Sequence, residues 1–131
     1  MPFAVDTNVL LRMLVDDGSA QCRAASERLR RDRIFVTSAV MVECEWVLRS
    51  NLRLKPQEIS NLFQLLGGNG NVEFDDIETV CWSIDALRNG FDFADAVHVH
   101  SARRCDAFLT FDRALIKRAT KHVDFLTVEL P

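Results

Sequence analysis

Short, mostly apolar runs alternate along this chain with longer segments in which apolar residues recur at helical spacing. Such a run is too short for a helix and predicts a buried strand. The runs lie at residues 1–5, 34–36, 72–74, 107–110 and 125–128. Strands that alternate with helices predict a parallel sheet covered on both faces. We therefore expect an α/β fold: a three-layer α/β/α domain with a central, mainly parallel sheet of four to five strands.

The longer segments predict helices, and their ends carry recognisable boundary signals. Thr37-Ser38 offers an N-cap, and Pro56 suits the first turn of the next helix, which glycines end at 67–70. Asp75-Asp76-Ile77-Glu78 resembles a capping arrangement before another helix, which Asn89-Gly90 ends. Helices are expected over residues 9–14, 20–31, 39–51, 56–66, around 80–87, 93–104 and 113–121.

The composition is that of a folded protein, with 48% hydrophobic and 27% charged residues among 131. We expect residues 1–131 to form one domain, because this length is close to the common domain size and no repeat or linker interrupts it. The formal net charge of −3 differs from the basic character of a typical non-specific nucleic-acid binder. A nucleic-acid role must therefore depend on local basic patches or on metal ions.

The four cysteines show neither a C-x-x-C pair nor the spacing of a zinc site. We interpret Cys22, Cys44, Cys81 and Cys105 as buried reduced thiols, which are typical of a reducing compartment. The N-terminus enters a strand without the basic region of a signal peptide, and no apolar run has the length of a transmembrane helix. These features predict a cytoplasmic protein that does not enter the membrane.

Two aspartates stand at the ends of predicted strands. Asp6 follows the first strand and Asp112 follows a later one, and each precedes a helix. If the two strands are parallel and adjacent, both side chains emerge at the same edge of the sheet. Ligand sites of parallel α/β sheets lie at that edge.

Two further carboxylates have no Lys or Arg at helical spacing. Glu43 lies in the helix over 39–51, and its neighbours at three and four residues are mainly apolar, so we expect it on a largely apolar face. Asp95 is followed at three and four residues by His98 and Val99. Glu45, in contrast, precedes Arg49 by four residues and is expected to form a solvated surface pair.

Two interpretations of these carboxylates are open from the pattern alone. Asp6 and Asp112 could be ordinary N-caps, the role that we expect for Asp92. Alternatively, the four acids approach one another, and a divalent cation relieves their repulsion. Oxygen ligands favour Mg²⁺ or Mn²⁺, which would activate a water molecule and neutralise phosphate charge. The second interpretation predicts hydrolysis of phosphodiester bonds.

Four short motifs, in this order, resemble those of the PIN domain, and in particular the VapC-type toxins of toxin–antitoxin pairs. They are Ala4-Val5-Asp6-Thr7-Asn8-Val9-Leu10, Ser38-x-x-x-x-Glu43, Phe93-Ala94-Asp95-Ala96 and Leu109-Thr110-Phe111-Asp112. The resemblance spans the whole chain. It implies an Mg²⁺-dependent endoribonuclease, with Mn²⁺ as a substitute, that acts as a toxin. It also implies a homodimer and a cognate antitoxin protein that inhibits the enzyme.

The resemblance assigns roles to particular residues. The catalytic residues and metal ligands would be Asp6, Glu43, Asp95 and Asp112. Supporting residues would be Thr7, Asn8 and Thr110, of which the first two would orient Asp6 or bind a metal-bound water. His98 is either an additional site group or an ordinary packed or surface histidine.

Basic residues are grouped in three clusters, which are Arg28 to Arg33, Arg103-Arg104, and Arg113, Lys117, Arg118 and Lys121. The third cluster follows Asp112 directly. Its members Arg113, Lys117 and Arg118 are therefore candidate RNA contacts beside the metal, and a solvated helix face is the alternative. The apolar helices over 39–51 and 56–66 are candidate partner surfaces.

Other function classes are weighed against the toxin. A PIN nuclease of RNA processing and a PIN-like module that binds without catalysis are both compatible with the motifs. A receiver domain would need a Lys after the last strand, and residues 125–131 contain none. A phosphatase of the haloacid dehalogenase type would need Asp-x-Asp where this chain has Asp6-Thr7-Asn8. Transfer, ribosomal and messenger RNA are all open as substrates.

Overall fold

The computed structural model describes all residues from Met1 to Pro131, and five strands alternate in it with seven helices. The strands are β1 (Phe3–Ala4), β2 (Ile34–Val36), β3 (Val72–Phe74), β4 (Ala107–Leu109) and β5 (Thr127–Glu129). The helices are α1 (Thr7–Leu14), α2 (Ala20–Arg31), α3 (Ser38–Ser50), α4 (Pro56–Gly67), α5 (Ile77–Arg88), α6 (Phe93–Ser101) and α7 (Arg113–His122). This arrangement confirms the predicted three-layer α/β fold.

Every strand pair is parallel, as the alternation of elements predicts. β2 lies between β1 and β3, and Ile34 is the register partner of both Phe3 and Val72. β4 pairs with β5 in a separate ladder. The expected number of strands is confirmed, although backbone hydrogen bonds divide the five into ladders of three and two. The strands that precede Asp6 and Asp112 are therefore not hydrogen-bonded neighbours.

β1 contradicts the prediction of a buried first strand. Phe3 is 51% exposed and Ala4 is exposed, whereas Ile34 and Val36 of β2 are buried. The strand is only two residues long and has a hydrogen-bonded partner on one side alone. The guanidinium of Arg28 lies 4.7 Å from the centre of the Phe3 ring and covers part of it through a cation–π contact.

The predicted boundary signals mostly lie where the helices begin and end. Thr37 caps α3 by accepting a backbone hydrogen bond, Pro56 is the first residue of α4, and Asp76 caps α5. α6 ends at Ser101 rather than Arg104, because the backbone hydrogen bonds after it span three residues instead of four. The longest helix, α3, has 13 residues, and no helix is long and apolar enough to span a membrane.

Two hydrophobic cores meet at α5 and α6. The larger core gathers buried side chains from α1, β2, α3, α4, α5 and α6, among them Leu10, Met41 and Phe63. The smaller core joins α5 and α6 to α7 and β5 through residues such as Leu115 and Val128. Because α5 and α6 contribute to both cores, they connect the three-stranded ladder to the two-stranded one.

The cysteines agree with the prediction only in part. Cys22 and Cys44 are buried, whereas Cys81 and Cys105 are exposed, and none forms a disulfide. Cys81 is an exposed residue of α5, and Cys105 lies in the turns after α6. An apolar neighbourhood in the sequence therefore did not ensure burial.

A polar network joins the start of α5 to the end of α6. Asp76 accepts a hydrogen bond from the hydroxyl of Thr79 at 2.6 Å and two from Arg103 at 2.9 and 3.3 Å. The Thr79 hydroxyl also lies 2.8 Å from Nδ1 of buried His100, whose ring stacks on Trp82. Burial opposes the charge on Asp76, but the hydrogen bonds from Thr79 and Arg103 outweigh it and lower the pKa of Asp76 to about 2.

Asp76→Ala is expected to lower the free energy of unfolding by about 2 kcal/mol at pH 7, because it removes a helix cap and charged hydrogen bonds. The pKa of Asp76 is about 2 in the folded chain, below the ordinary 3.8. Its carboxylate therefore stabilises the fold fully above about pH 5, and this contribution is lost as the pH falls through 3.8 towards 2. Urea unfolding at several pH values measures the effect. Asp85→Ala changes an exposed position on the same helix and is the control. It should change the free energy of unfolding by less than about 0.5 kcal/mol. An equal loss of free energy of unfolding in both variants at pH 7 would contradict the role of the network.

Candidate active site

Asp6 and Asp112 occupy equivalent positions, each exposed between a strand and a helix. Oδ1 of Asp6 accepts the N–H of Val9 at 2.9 Å. Oδ1 of Asp112 accepts the N–H groups of Ala114 and Leu115 at 3.0 and 3.1 Å. Both residues are therefore N-caps, but capping uses one oxygen of each carboxylate. Oδ2 of each receives no protein hydrogen bond and is free to bind a ligand.

Asp95 lies half-buried in the first turn of α6, and its backbone N–H donates to Asp92 at 3.0 Å. Asp92 is thus the cap that the sequence predicts. Burial is the largest effect that raises the pKa of Asp95, and the negative charges of Asp92 and Asp112 raise it further against a weaker opposing effect of His98. The structure therefore brings Asp95 and Asp112, which lie on different elements, within range of mutual repulsion.

Glu43 is exposed on α3 and does not lie on the apolar face that the sequence predicts. Its Oε2 accepts the hydroxyl of Thr7 at 2.9 Å, which ties α3 to the first residue of α1. Glu45 is the buried glutamate, at 2% exposure, and it pairs with Arg49 at 2.9 Å. The predicted Glu45–Arg49 pair is confirmed, but its solvated position is wrong.

The core-facing side of α3 explains this reversal. Its buried residues recur at helical spacing and are Met41, Cys44, Glu45 and Leu48. α3 itself carries apolar side chains on nearly every side, so hydrophobicity alone did not identify the face towards the core. The chain tolerates the buried carboxylate of Glu45 because the guanidinium of Arg49, one turn further on, pairs with it.

The supporting residues make contacts that differ from those expected. The hydroxyl of Thr7 donates to Glu43 rather than to Asp6. Thr110 accepts the backbone N–H of Asp112 at 3.0 Å and so holds the turn that carries this acid. Asn8 is exposed, and its side chain forms no hydrogen bond within the chain. His98 is exposed as well.

Asp75 does not cap α5, although it belongs to the segment that resembles a capping arrangement, and Asp76 provides the cap instead. It follows β3, and its carboxylate accepts the backbone N–H of Ser38 at 3.0 Å and the hydroxyl of Ser38 at 2.8 Å. Asp75 therefore anchors the start of α3, the helix that carries Glu43. The two partners lie 37 positions apart, so no local signal relates them.

The four carboxylates form a donor set that fits a divalent cation. All their ligand atoms are oxygens, none pairs with a Lys or Arg, and burial followed by the acidic neighbours raises the pKa of Asp95. No three of them place oxygens within 4.8 Å of one another, and the group that does is Asp16, Asp17 and Cys22. Those two aspartates instead accept turn N–H groups and the guanidinium of Arg12. In this geometry the four carboxylates therefore do not form a compact three-ligand cluster, and a cation bound among them would need water to complete its coordination.

The three basic clusters differ in how far acidic groups neutralise them. In the first, every arginine at the end of α2 has an acidic partner: Arg28 and Arg31 pair with Asp32, Arg30 with Glu27, and Arg33 with Glu73. In the second, Arg103 pairs with Asp76. The α7 cluster forms no ion pair at all. Its candidate RNA contacts Arg113, Lys117 and Arg118 are all exposed, and Arg118 also donates to the carbonyl of Gly90.

Comparison with known protein families gives one match. A family model of the PIN domain matches residues 3–121, a segment that includes all four carboxylates. A search among curated proteins finds no match. PIN domains are in general nucleases that act on nucleic acid and typically use a divalent metal. Because the match covers nearly the whole chain, the chain belongs to the PIN domain family.

Proposed function

We propose that this protein is an Mg²⁺-dependent endoribonuclease that acts as the toxin of a toxin–antitoxin pair. One observation carries the catalytic part of the proposal. The carboxylate of Asp95 is half-buried, accepts no hydrogen bond, pairs with no Lys or Arg, and is repelled by Asp112. Such an arrangement costs stability unless a ligand compensates it, and perturbed carboxylates of this kind are typical of functional sites.

The proposed metal ligands are Asp6, Glu43, Asp95 and Asp112. Mg²⁺ suits this all-oxygen set, and Mn²⁺ is a fitting substitute. When bound, the metal would supply activation of a water molecule and neutralisation of phosphate charge. The protein supplies orientation: backbone N–H groups hold one oxygen of Asp6 and of Asp112, and the Thr7 hydroxyl holds Glu43.

The toxin part of the proposal is supported by the four motifs that resemble VapC-type toxins. It includes a cytoplasmic homodimer of one-domain chains, spanning residues 1–131, and a cognate antitoxin that inhibits the enzyme. Large apolar side chains are exposed on the two apolar helices, with Trp46 on α3 at 54% and Leu65 on α4 at 75%. Exposed apolar residues of this size support a partner surface there.

Asp6→Asn and Asp95→Asn are each expected to reduce RNA cleavage in Mg²⁺ by at least about 100-fold, because each removes a metal ligand. Without metal, Asp95→Asn should not lower the melting temperature, since the amide relieves the repulsion by Asp92 and Asp112. Mg²⁺ or Mn²⁺ should raise the melting temperature of the wild type more than that of either variant. A gel assay of purified protein, with and without EDTA, and thermal unfolding make these measurements.

Asp85→Asn is the matched control, because it removes an exposed carboxylate of α5 outside the proposed site. It should leave cleavage and the metal-induced shift unchanged. Undiminished cleavage by Asp6→Asn or Asp95→Asn would exclude these residues from catalysis. Wild-type protein that binds RNA but never cleaves it in Mg²⁺ or Mn²⁺ would favour the non-catalytic module.

Thr7→Val is expected to raise the Mg²⁺ concentration needed for half-maximal cleavage by about 10-fold, the size typical of a group that orients a metal ligand. Valine has the shape of threonine but cannot donate to Glu43, whereas Thr7→Ser keeps the donor and should restore activity. The measurement is the Mg²⁺ concentration that gives half-maximal cleavage. An equal loss in both variants would indicate that packing, rather than the hydrogen bond, is responsible.

Induced expression in a bacterial host is expected to arrest growth for the wild type and not for Asp95→Asn. Sequencing of newly formed RNA ends after induction would then identify the RNA that is cut. Purified protein that cleaves RNA but has no effect on growth would favour a PIN nuclease of RNA processing over a toxin. This result separates the toxin role from the catalytic assignment.

A further inference from the structure

α7 is the one strongly basic element whose charges are not neutralised within the chain. None of its residues is acidic, and none of the eight ion pairs of the structure involves it. The cluster from Arg28 to Arg33, at and just after the end of α2, carries as many cations, yet all four of its arginines have acidic partners. A protein with a net charge of −3 thus keeps one concentrated group of free cations, directly after the proposed ligand Asp112.

The free cations of α7 are regularly spaced. Arg113, Lys117 and Lys121 recur every four residues and form one ridge, with steps of about 6 Å along the helix axis. Two surface cavities flank this ridge. One has a volume of about 440 Å³ and is lined by Asn89, Ala114, Lys117, Arg118, Lys121 and His122. The other has a volume of about 330 Å³ and includes Arg113 and Lys117.

An exposed aromatic residue precedes the ridge. Phe111 is 82% exposed and lies between Thr110 and Asp112, next to the proposed acidic site. A phenylalanine of this exposure gains nothing from the hydrophobic core, and its ring presents a flat face to a ligand. Aromatic rings beside a basic groove are the recurring combination with which proteins bind single-stranded nucleic acid.

We propose that a single strand of RNA lies along α7, with a base stacked on Phe111 and successive phosphates bound by Arg113, Lys117 and Lys121. The proposal rests on the nuclease function, which makes an RNA strand at Asp112 necessary. It deepens that function by naming the surface that holds the strand beside the site. Arg118 is not a contact in this scheme, because its guanidinium donates to the carbonyl of Gly90 and secures α7 to the end of α5.

The ridge favours RNA over an acidic protein partner for two reasons. Its cations are spaced at regular intervals, as the phosphates of a strand are, and it begins beside the acids that would act on that strand. A phosphate strand also gains from counterion release when lysines bind it, which makes its affinity steeply dependent on salt. That dependence can be measured without cleavage.

The test uses full-length protein in EDTA, so that no cleavage occurs, and a labelled oligouridylate of about 12 nucleotides. Binding is measured by fluorescence anisotropy over a range of salt concentrations. The double variant Lys117→Gln/Lys121→Gln should bind more weakly and reduce the slope of log affinity against log salt by about 1.4, since each phosphate contact to a single strand contributes about 0.7. The control Arg30→Gln/Arg31→Gln removes the same charge from the paired cluster of α2 and should leave both quantities nearly unchanged.

Phe111→Leu tests the stacking contact separately. It keeps an apolar side chain but removes the ring, and it should weaken binding about ten-fold while leaving the salt slope of the wild type intact. Circular dichroism confirms that each variant is folded. The proposal would be overturned if the lysine substitutions left the affinity and the slope unchanged, or if the α2 control had an equal effect. It would also be overturned if the wild type did not bind in EDTA at low salt. Because the assay contains no metal, these outcomes do not depend on whether the protein cleaves RNA.

Discussion

The candidate site is governed by negative charges that the chain holds in place without neutralising. Asp6, Asp92 and Asp112 are each fixed by backbone N–H groups at helix N-termini, and Glu43 is fixed by a threonine hydroxyl. These donors orient a carboxylate, but they carry no full positive charge. Asp95, which has no such donor, experiences the resulting repulsion, and both burial and its neighbours raise its pKa. The acids that do pair with arginine lie elsewhere in the chain, for example Asp32, Glu45 and Asp76.

The helices impose this concentration of charge more directly than the strands do. β1 and β4, which precede Asp6 and Asp112, belong to different ladders, so no hydrogen-bonded strand pair brings these two acids together. α3 packs against both α1 and α6, and its Glu43 accepts the hydroxyl of Thr7 at the start of α1. α6 belongs to both hydrophobic cores, and α7 packs in the smaller one. The half-buried position of Asp95 near Asp112 is thus a consequence of how the two cores share a helix.

Local signals in the sequence predicted most of the elements, because caps, glycines and a proline act within one turn of the residues that they affect. Long-range relations were not accessible in the same way. Asp75 belongs to the segment that resembles a capping arrangement before α5, yet it anchors the start of α3 across 37 positions. The exposures of Glu43 and Glu45 were reversed because α3 is apolar on nearly all sides, and only its packing against neighbouring helices selects the buried face. The motifs indicated which four acids to consider, whereas only the structure shows which groups donate hydrogen bonds to them.

The same limit applies to the basic residues, and it changes their interpretation. In the sequence, the end of α2 and α7 look alike, since each places several arginines or lysines within a short stretch. In the structure, the arginines at and just after the end of α2 pair with Glu27, Asp32 and Glu73, and one also covers Phe3. The charge of those arginines is therefore used within the chain, although exposed ion pairs of this kind add little to the free energy of unfolding. The cations of α7 have no such partners, so their charge is available to a ligand, and their position after Asp112 relates that ligand to the acidic group.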